Sequence, residues 1–479
     1  MPIKKTLFWF RQDLRLSDNP GLYEAAKQGA VMPVYIQDDG AAGDFKMGEA
    51  SRWWLHHSLS ALNNTLNNKL NVYQGNAKEI LLKLVKDNTI DTIYWNRCYE
   101  PWRIKDDAAI KAELKAGNID CKSFNGSLLL EPWQVLKNDN TCYKVFTPFY
   151  QKGCLGIADI RRPILKPETL DLIKDQSNKI DIDSLKLLPD KNWHQKMKPY
   201  WIIGEKGAKE KLQTFLNEGL DGYKEGRNFP YKNNISRLSP HLHFGEISPN
   251  QVWFEKTAKG LIDNQLRIDV DFFLSELGWR EFSYNLLYYF PDLPHKNLQS
   301  KFDTFPWEDD TGLLKAWQKG QTGYPIIDAG MRELWQTGYM HNRLRMIVGS
   351  FLVKNLLLHW HHGEKWFWDC LVDADLANNS ASWQWIAGCG ADAAPYFRVF
   401  NPVTQGEKFD PDGHYTRKFV PELTNMPNKY LFRPWQAPAD VLERAEVLLG
   451  QTYPKPIVNL EFSRNKALEA FSLVSKSIQ

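Results

Sequence analysis

Over the first 125 residues, short apolar runs alternate with longer stretches in which apolar residues return every three or four positions. The runs at 6–10, 31–36, 70–73, 92–95 and 120–124 have the length and the aromatic or β-branched content of strands. Between the second and third runs, Leu55, Leu59, Leu62, Leu66 and Leu70 follow at steps of four, three, four and four, a single apolar stripe along a helix. Strands separated by helices predict a doubly wound parallel sheet, because parallel neighbours need a crossover of helical length. Such a sheet binds ligands at the carboxyl ends of its strands. No Gly-x-Gly-x-x-Gly follows the first run, so the usual dinucleotide fingerprint is missing there. Residues 1–130 are read as an α/β domain.

From 131 to 200 the periodicity gives way to Pro132, Pro148, Pro163, Pro167, Pro189 and Pro199 among mixed lysines and aspartates, which reads as an inter-domain linker. Strand signals then fade. Segments near 208–219, 266–289, 326–337, 343–361 and 364–372 have helical length and period, and residues 201–479 are read as an all-α domain. With 43% hydrophobic and 24% charged residues the chain is ordinary globular protein rather than disordered or collagen-like. Its six cysteines form no Cys-x-x-Cys and no close pair, which argues against a disulfide scaffold or zinc module and for a reducing compartment, the cytoplasm. No run of apolar residues is long enough for a membrane span. The net charge of +3 comes without a basic tail, so any nucleic-acid groove has to be assembled by folding. The count of 19 Trp is the unusual feature, and bulk packing alone does not account for it.

Four segments carry candidate chemistry. In the first, 234–248, Ser236, Ser239 and backbone amides precede a helix start, where a phosphate can be held; by itself this reads equally as a capped helix. The second, 276–282, puts Glu276, Trp279 and Arg280 on one helix face, as a site or as a surface ion pair beside a core indole. The third, 340–346, places Asn342 and Met346 one turn apart. In the fourth, 373–385, acidic residues, amides and small residues crowd around Trp383 and Trp385, a wall suited to a flat, polar-edged cofactor. His359, His361 and His362 match no zinc spacing and read as solvated or core residues, with no metal.

Together with Leu7-Phe8-Trp9-Phe10-Arg11-Gln12-Asp13-Leu14-Arg15-Leu16-Ser17-Asp18-Asn19-Pro20, and in register with Gly323-Tyr324-Pro325 and Asp392-Ala393-Ala394-Pro395-Tyr396-Phe397-Arg398, these segments resemble the photolyase/cryptochrome flavoprotein family. Within it they look most like class I cyclobutane pyrimidine dimer (CPD) photolyases. The resemblance implies FAD in the helical domain and a light-driven electron passed from its reduced form into a pyrimidine dimer flipped out of UV-damaged DNA. It also implies a deoxyribodipyrimidine photo-lyase, acting as a monomer. Tyr223, Ser236, Arg237, Leu238, Ser239, Phe273, Arg345, Asp373, Ala374, Asp375 and Asn379 would then hold FAD, with Arg345 and Asp373 paired beside the flavin ring. Ile235 stands where the family commonly has Thr, so one phosphate contact is expected to be missing.

Asn379 matches the residue facing flavin N5, where plant cryptochromes carry an acid and animal cryptochromes a cysteine, so Asn favours a repair enzyme over a cryptochrome-type blue-light photoreceptor. Glu276, Trp279, Asn342 and Met346 would line the lesion pocket; (6-4) photolyases use histidines where this chain has Asn342 and Met346. Arg227, Trp279, Arg280, Asn342, Arg343, Arg398 and Gln405 match DNA-contacting positions, and Trp383, Trp360 and Trp307 match an electron-transfer triad. For an antenna chromophore, folate-binding members carry an acid where Tyr99-Glu100-Pro101-Trp102-Arg103 has Arg103, which leaves folate and deazaflavin types both open.

Overall fold

The computed structural model describes residues 4–157, 160–178, 180–262, 266–393, 395–396 and 398–476. All five expected strands are present: β1 (Lys4–Phe10), β2 (Gly29–Gln37), β3 (Asn71–Gln74), β4 (Thr92–Asn96) and β5 (Asp120–Phe124). They form one sheet in the order β3-β2-β1-β4-β5, and every neighbouring pair is parallel. Four helices make the crossovers: α1 (Pro20–Gln28), α2 (Glu49–Thr65), α3 (Ala77–Asn88) and α4 (Pro101–Ala116). Side chains alternate across a strand, so Leu7, Trp9, Met32, Val34, Ile93 and Trp95 share one face and pack on Leu81, Leu84, Ile110 and Leu114 of α3 and α4. Phe8 points to the other face, where α1 approaches so closely that a Cβ on Gly21 would come 2.7 Å from its ring.

Caps set the helix starts. Asn19 accepts the Leu22 N–H at 3.1 Å ahead of α1, and Asn76 accepts the Glu79 N–H at 3.1 Å ahead of α3. The leucine stripe predicted a helix reaching position 70, but α2 stops at Thr65, because Asn67 and Asn68 take left-handed φ of 53° and 60°. Leu66 and Leu70 are buried all the same.

The chain divides into two compact units, residues 1–221, 236–291 and 372–377 in the first and 222–235, 292–371 and 378–479 in the second. This division differs from the sequence boundaries at 130 and 200. Part of the supposed linker is tied to the sheet: the Val31 N–H donates to Asp171 O at 2.7 Å, the Ile173 N–H returns to Val31 O at 2.8 Å, and the Tyr73 hydroxyl donates to Asp175 at 2.7 Å. The first unit is also knitted by Arg15, fully buried, whose guanidinium donates to the carbonyls of Asp18, Gly126 and Gly245. Gly245 is required at its place, since φ is 67° and a Cβ would lie 2.1 Å from Gln12 O.

The helices that carry the candidate residues are α5 (Arg267–Tyr289), α6 (Pro325–Thr337), α7 (Asn342–Ser350), α8 (Trp360–Cys370) and α9 (Leu376–Ala387). The continuous helix expected over 343–361 is broken. A wide turn over Phe351–Asn355 follows α7, Leu357 takes φ 54°, and α8 starts afresh with the His359 ring accepting the His361 N–H at 3.2 Å. His341 caps α7 in the same way, accepting from the Arg343 N–H at 3.1 Å. Two histidines thus serve as N-caps, a role for which the side-chain oxygens of Ser, Thr, Asp and Asn are the usual choice. Among the described residues no helix is long and apolar enough to cross a membrane.

Candidate functional site

In the first unit, α5 presents Phe273, Glu276, Trp279 and Arg280. Phe273 is buried against Phe215, 5.0 Å between ring centroids. Trp279 and Glu276 are partly exposed, and Phe146 stacks on the Trp279 indole. Arg280, expected at a DNA rim, is instead buried: it donates to Ser127 O at 2.8 Å, pairs with Glu281 at 3.3 Å and lies 4.8 Å over the Tyr284 ring. Its fixed fork of donors is turned inward, toward Ser127 O and Glu281.

Asp375 anchors a network in the same unit. The Tyr284 hydroxyl donates to it at 2.5 Å and His243 Nδ1 lies 3.3 Å away. Burial pushes this carboxyl up, but the His243 and Tyr284 hydrogen bonds and the Arg280 charge outweigh burial and bring it down to about 2. It stays ionised. Asp373 accepts the Ser239 hydroxyl at 2.5 Å, and Ala374 between the two acids is buried. At Arg237 the backbone takes φ 50° and at Leu238 it returns to φ −85°, ψ −8°. Alternation of this kind turns successive N–H groups toward one point, a concavity that suits an anion. The Leu238 N–H lies 3.4 Å from Ser236 Oγ. Burial and the charge of Arg237 hold Lys211 below the ordinary lysine value, so two cations are brought together at this loop.

In the second unit, Asn379 at the start of α9 is buried, and its amide nitrogen donates to Glu364 O at 3.0 Å. That bond fixes which way the amide faces and leaves its oxygen as the acceptor. Glu364 itself is buried and meets Ser380 Oγ at 2.5 Å, and burial pushes its carboxyl up to about 8 despite that hydroxyl. One turn beyond Asn379, Trp383 packs against α8 where a Cβ on Gly363 would come 2.1 Å from its ring. Trp360 lies one turn back on the same helix, fully buried, its Nε1 donating to Asn297 at 3.0 Å. His359 stands between Trp360 and Trp307, 5.6 Å from one ring and 5.2 Å from the other. The three expected indoles therefore lie along α8, and Trp317, unforeseen in sequence, adds a fourth 6.3 Å from Trp383.

Arg343 on α7 donates to Asn228, reaches Met346 Sδ at 3.8 Å and rests 4.4 Å over Phe409. Burial and the charge of Arg227 depress its basicity, and Arg227 lies 5.3 Å over the ring of buried Tyr223. Asn342 is exposed and Met346 partly buried. Arg345 donates to Met340 O at 2.8 Å and lies 5.2 Å over Tyr339. Arg398 is exposed, with its carbonyl held by buried Lys354 at 3.0 Å, and Gln405 sits partly exposed on the helix Pro402–Phe409.

A separate cavity of about 610 Å³ opens at the carboxyl ends of β2 and β3, lined by Gln37, Asp38, Asp39, Gln74, Asn76 and Asp106 among others. Burial and the neighbouring Asp38 charge raise Asp106. Sequence reading missed Glu364, Tyr284, His243 and Lys211. Each acts through a neighbour remote in the chain, and only Ser380 beside Asn379 gave a local hint.

Each unit, taken by itself, carries groups of the kind FAD takes: in the first, a loop with two cations and turned amides suits a pyrophosphate and the Ser239–Asp373 pair suits hydroxyls; in the second, Asn379 offers an oriented amide. Comparison with known proteins points the same way. Residues 6–167 match the DNA photolyase family model and residues 273–473 the FAD binding domain of DNA photolyase. The chain is 47% identical to the deoxyribodipyrimidine photo-lyase of Agrobacterium fabrum over 98% of both sequences, and 38% identical to cryptochrome-2 of Arabidopsis thaliana over 98% of this chain and 79% of that protein. It superposes on a bacterial class III photolyase from Agrobacterium tumefaciens with a TM-score of 0.95 at 47% identity, covering 99% of this chain and 98% of the other. The chain belongs to the photolyase/cryptochrome family and carries that family's FAD-binding domain.

Proposed function

We propose that the protein is a light-dependent DNA repair enzyme that splits cyclobutane pyrimidine dimers in UV-damaged DNA. The observation that carries this reading is Asn379, a neutral amide fixed by the Glu364 carbonyl where the photoreceptor branches carry an acid or a cysteine. Likeness over almost the full length to a class III photolyase supports class III in place of the class I expected from the motifs. When bound, reduced FAD supplies the light-driven electron.

The chain's own residues then have separable tasks. Arg237, Lys211 and the turned backbone at 237–238 bind the pyrophosphate, while Ser239 and Asp373 hold hydroxyls. The Asn379 oxygen would accept a hydrogen bond from a ring N–H of the flavin. Trp279 offers an apolar face to the lesion, and Glu276, nearly one turn away on α5, offers a carboxyl to its polar edge. Arg227 and Arg343, whose mutual repulsion an anion relieves, bind phosphates of the DNA backbone. Asn342 and Met346 in place of histidines favour CPD over (6-4) lesions. Trp383, Trp360 and Trp307 carry electrons inward from the surface. An antenna chromophore would find room in the cavity at the strand ends, where Asp38, Asp39 and Asp106 would favour a ring presenting N–H donors over a phosphate.

The test is to illuminate the reduced protein with blue light in the presence of oligonucleotides bearing one CPD or one (6-4) lesion. Intact thymines are expected from the CPD alone. Repair of neither lesion overturns the reading, and repair of the (6-4) lesion alone overturns the substrate.

A further inference from the structure

Phe146 and Tyr150 lie in the stretch whose sequence reads as linker, yet they are placed against α5 beside the partly exposed ring of Trp279. Phe146 lies parallel to the Trp279 indole, with centroids 3.7 Å and planes 9° apart. Tyr150 is nearly parallel to Phe146, 5.6 Å away at 11°, and Phe282 meets the indole edge-on at 5.9 Å and 76°. Both backing rings are buried, whereas Trp279 is partly exposed. The face of Trp279 turned away from Phe146 has no aromatic neighbour among the described residues.

Aromatic pairs left to themselves settle offset or edge-on, with centroids about 4.5–7 Å apart. An overlay at 3.7 Å is therefore imposed by the chain around it. Gly278 is part of that constraint: a Cβ there would come 2.4 Å from the Tyr150 ring, so only glycine lets the 146–150 segment close on α5. Phe149 of the same segment is fully engaged too, 5.2 Å from Phe282. The outcome is an indole whose plane is set before anything binds.

We infer that Phe146 is a positioning residue for lesion recognition: it holds the Trp279 indole in one plane and so pre-forms an apolar platform for the ring face of a flipped-out pyrimidine dimer. The inference rests on the reading of Trp279 as a wall of the lesion pocket. Its benefit is preorganisation, since an indole already ordered pays no rotamer cost on binding.

The test is equilibrium binding in the dark to a dimer-bearing oligonucleotide and to its undamaged counterpart. Phe146→Leu is expected to weaken binding of the dimer roughly three- to tenfold, the scale of one aromatic contact, while leaving undamaged-DNA binding and FAD content unchanged. Phe146→Tyr, which keeps the ring, restores wild-type selectivity. The near-ultraviolet circular dichroism of Phe146→Leu loses the stacked-indole contribution that Phe146→Tyr retains. Wild-type selectivity in Phe146→Leu, or equal loss on both DNAs, overturns the inference. Trp279→Ala separates it from the reading beneath: if that variant binds the dimer normally, the role of Trp279 itself is wrong, whereas weakened Trp279→Ala beside normal Phe146→Leu removes only the positioning role. Should Phe146→Leu fail to fold, Tyr150→Leu decides, with a smaller loss in the same direction expected and unchanged selectivity overturning the inference.

Discussion

Asp375 and Glu364 are both buried carboxyls on the helical part of the chain, and they end in opposite states of charge. Asp375 has a phenol and an imidazole hydrogen-bonded to it and the charge of Arg280 acting on it, and sits at about 2. Glu364 has one serine hydroxyl and a single lysine charge, that of Lys365, and sits at about 8. Burial is nearly the same, 7% and 4% exposed, so the number of donors and cations decides which acid keeps its proton. The chain uses the first as a fixed anion beside the expected FAD contacts Asp373 and Ala374, and the second as a neutral strut beneath Asn379.

The contrast breaks most severely at Asp375. Asp375→Ala leaves His243 and the Tyr284 hydroxyl without their anion, and a loss of about 3–5 kcal/mol in chemical denaturation is expected, with FAD released. At Glu364 the sign reverses with pH. A group whose folded value is raised from 4.5 to about 8 holds its proton longer when folded, so its favourable contribution is complete below pH 4.5 and is lost as pH climbs toward 8. Glu364→Gln never ionises. Melting curves at pH 5 and pH 8 are expected to show the variant gaining on the wild type by roughly 2–4 kcal/mol across that interval, and parallel curves would show that Glu364 is already ionised.

Tyr284→Phe removes one donor to Asp375 and is expected to cost about 1.5–2 kcal/mol near neutral pH. A depressed carboxyl stabilises above its ordinary value of 3.8 and ceases to do so as pH falls toward 2, so this variant should unfold in acid at a higher pH than the wild type. The smallest effect separates two arginines instead of two acids. Arg343→Ala is expected to weaken DNA binding severalfold and to reduce the slope of affinity against salt by about one ion, while preserving the fold. A salt slope equal to that of the wild type would remove Arg343 from the DNA contacts.

These pairs also show which features a sequence carries. The strands were readable because Leu7, Trp9, Met32, Val34, Ile93 and Trp95 alternate or run together, and a parallel sheet buries both faces of such runs. The segment that holds Asn379 and Trp383 stood out because its neighbours are unusual in composition, while the roles of the two residues came only from the family resemblance. The inward partners of Arg280 were not readable, since helical spacing offered Glu276 and gave no sign that Ser127 O and Glu281 would take its donors. The end of α2 at Thr65 turned on two asparagines tolerating left-handed backbone, and the break at Leu357 on a residue type that seldom does. The 143–150 segment looked like linker because prolines hid three aromatic rings whose partners lie on α5, more than 120 residues further along the chain.

The most direct measurement follows thymine absorbance in a CPD-bearing oligonucleotide as a function of blue-light dose, with protein reduced beforehand and kept free of oxygen. Absorbance rising with dose to full recovery of both bases, and staying flat in darkness, is the predicted result. No recovery at any dose, from protein that retains FAD and binds the damaged strand, would contradict it.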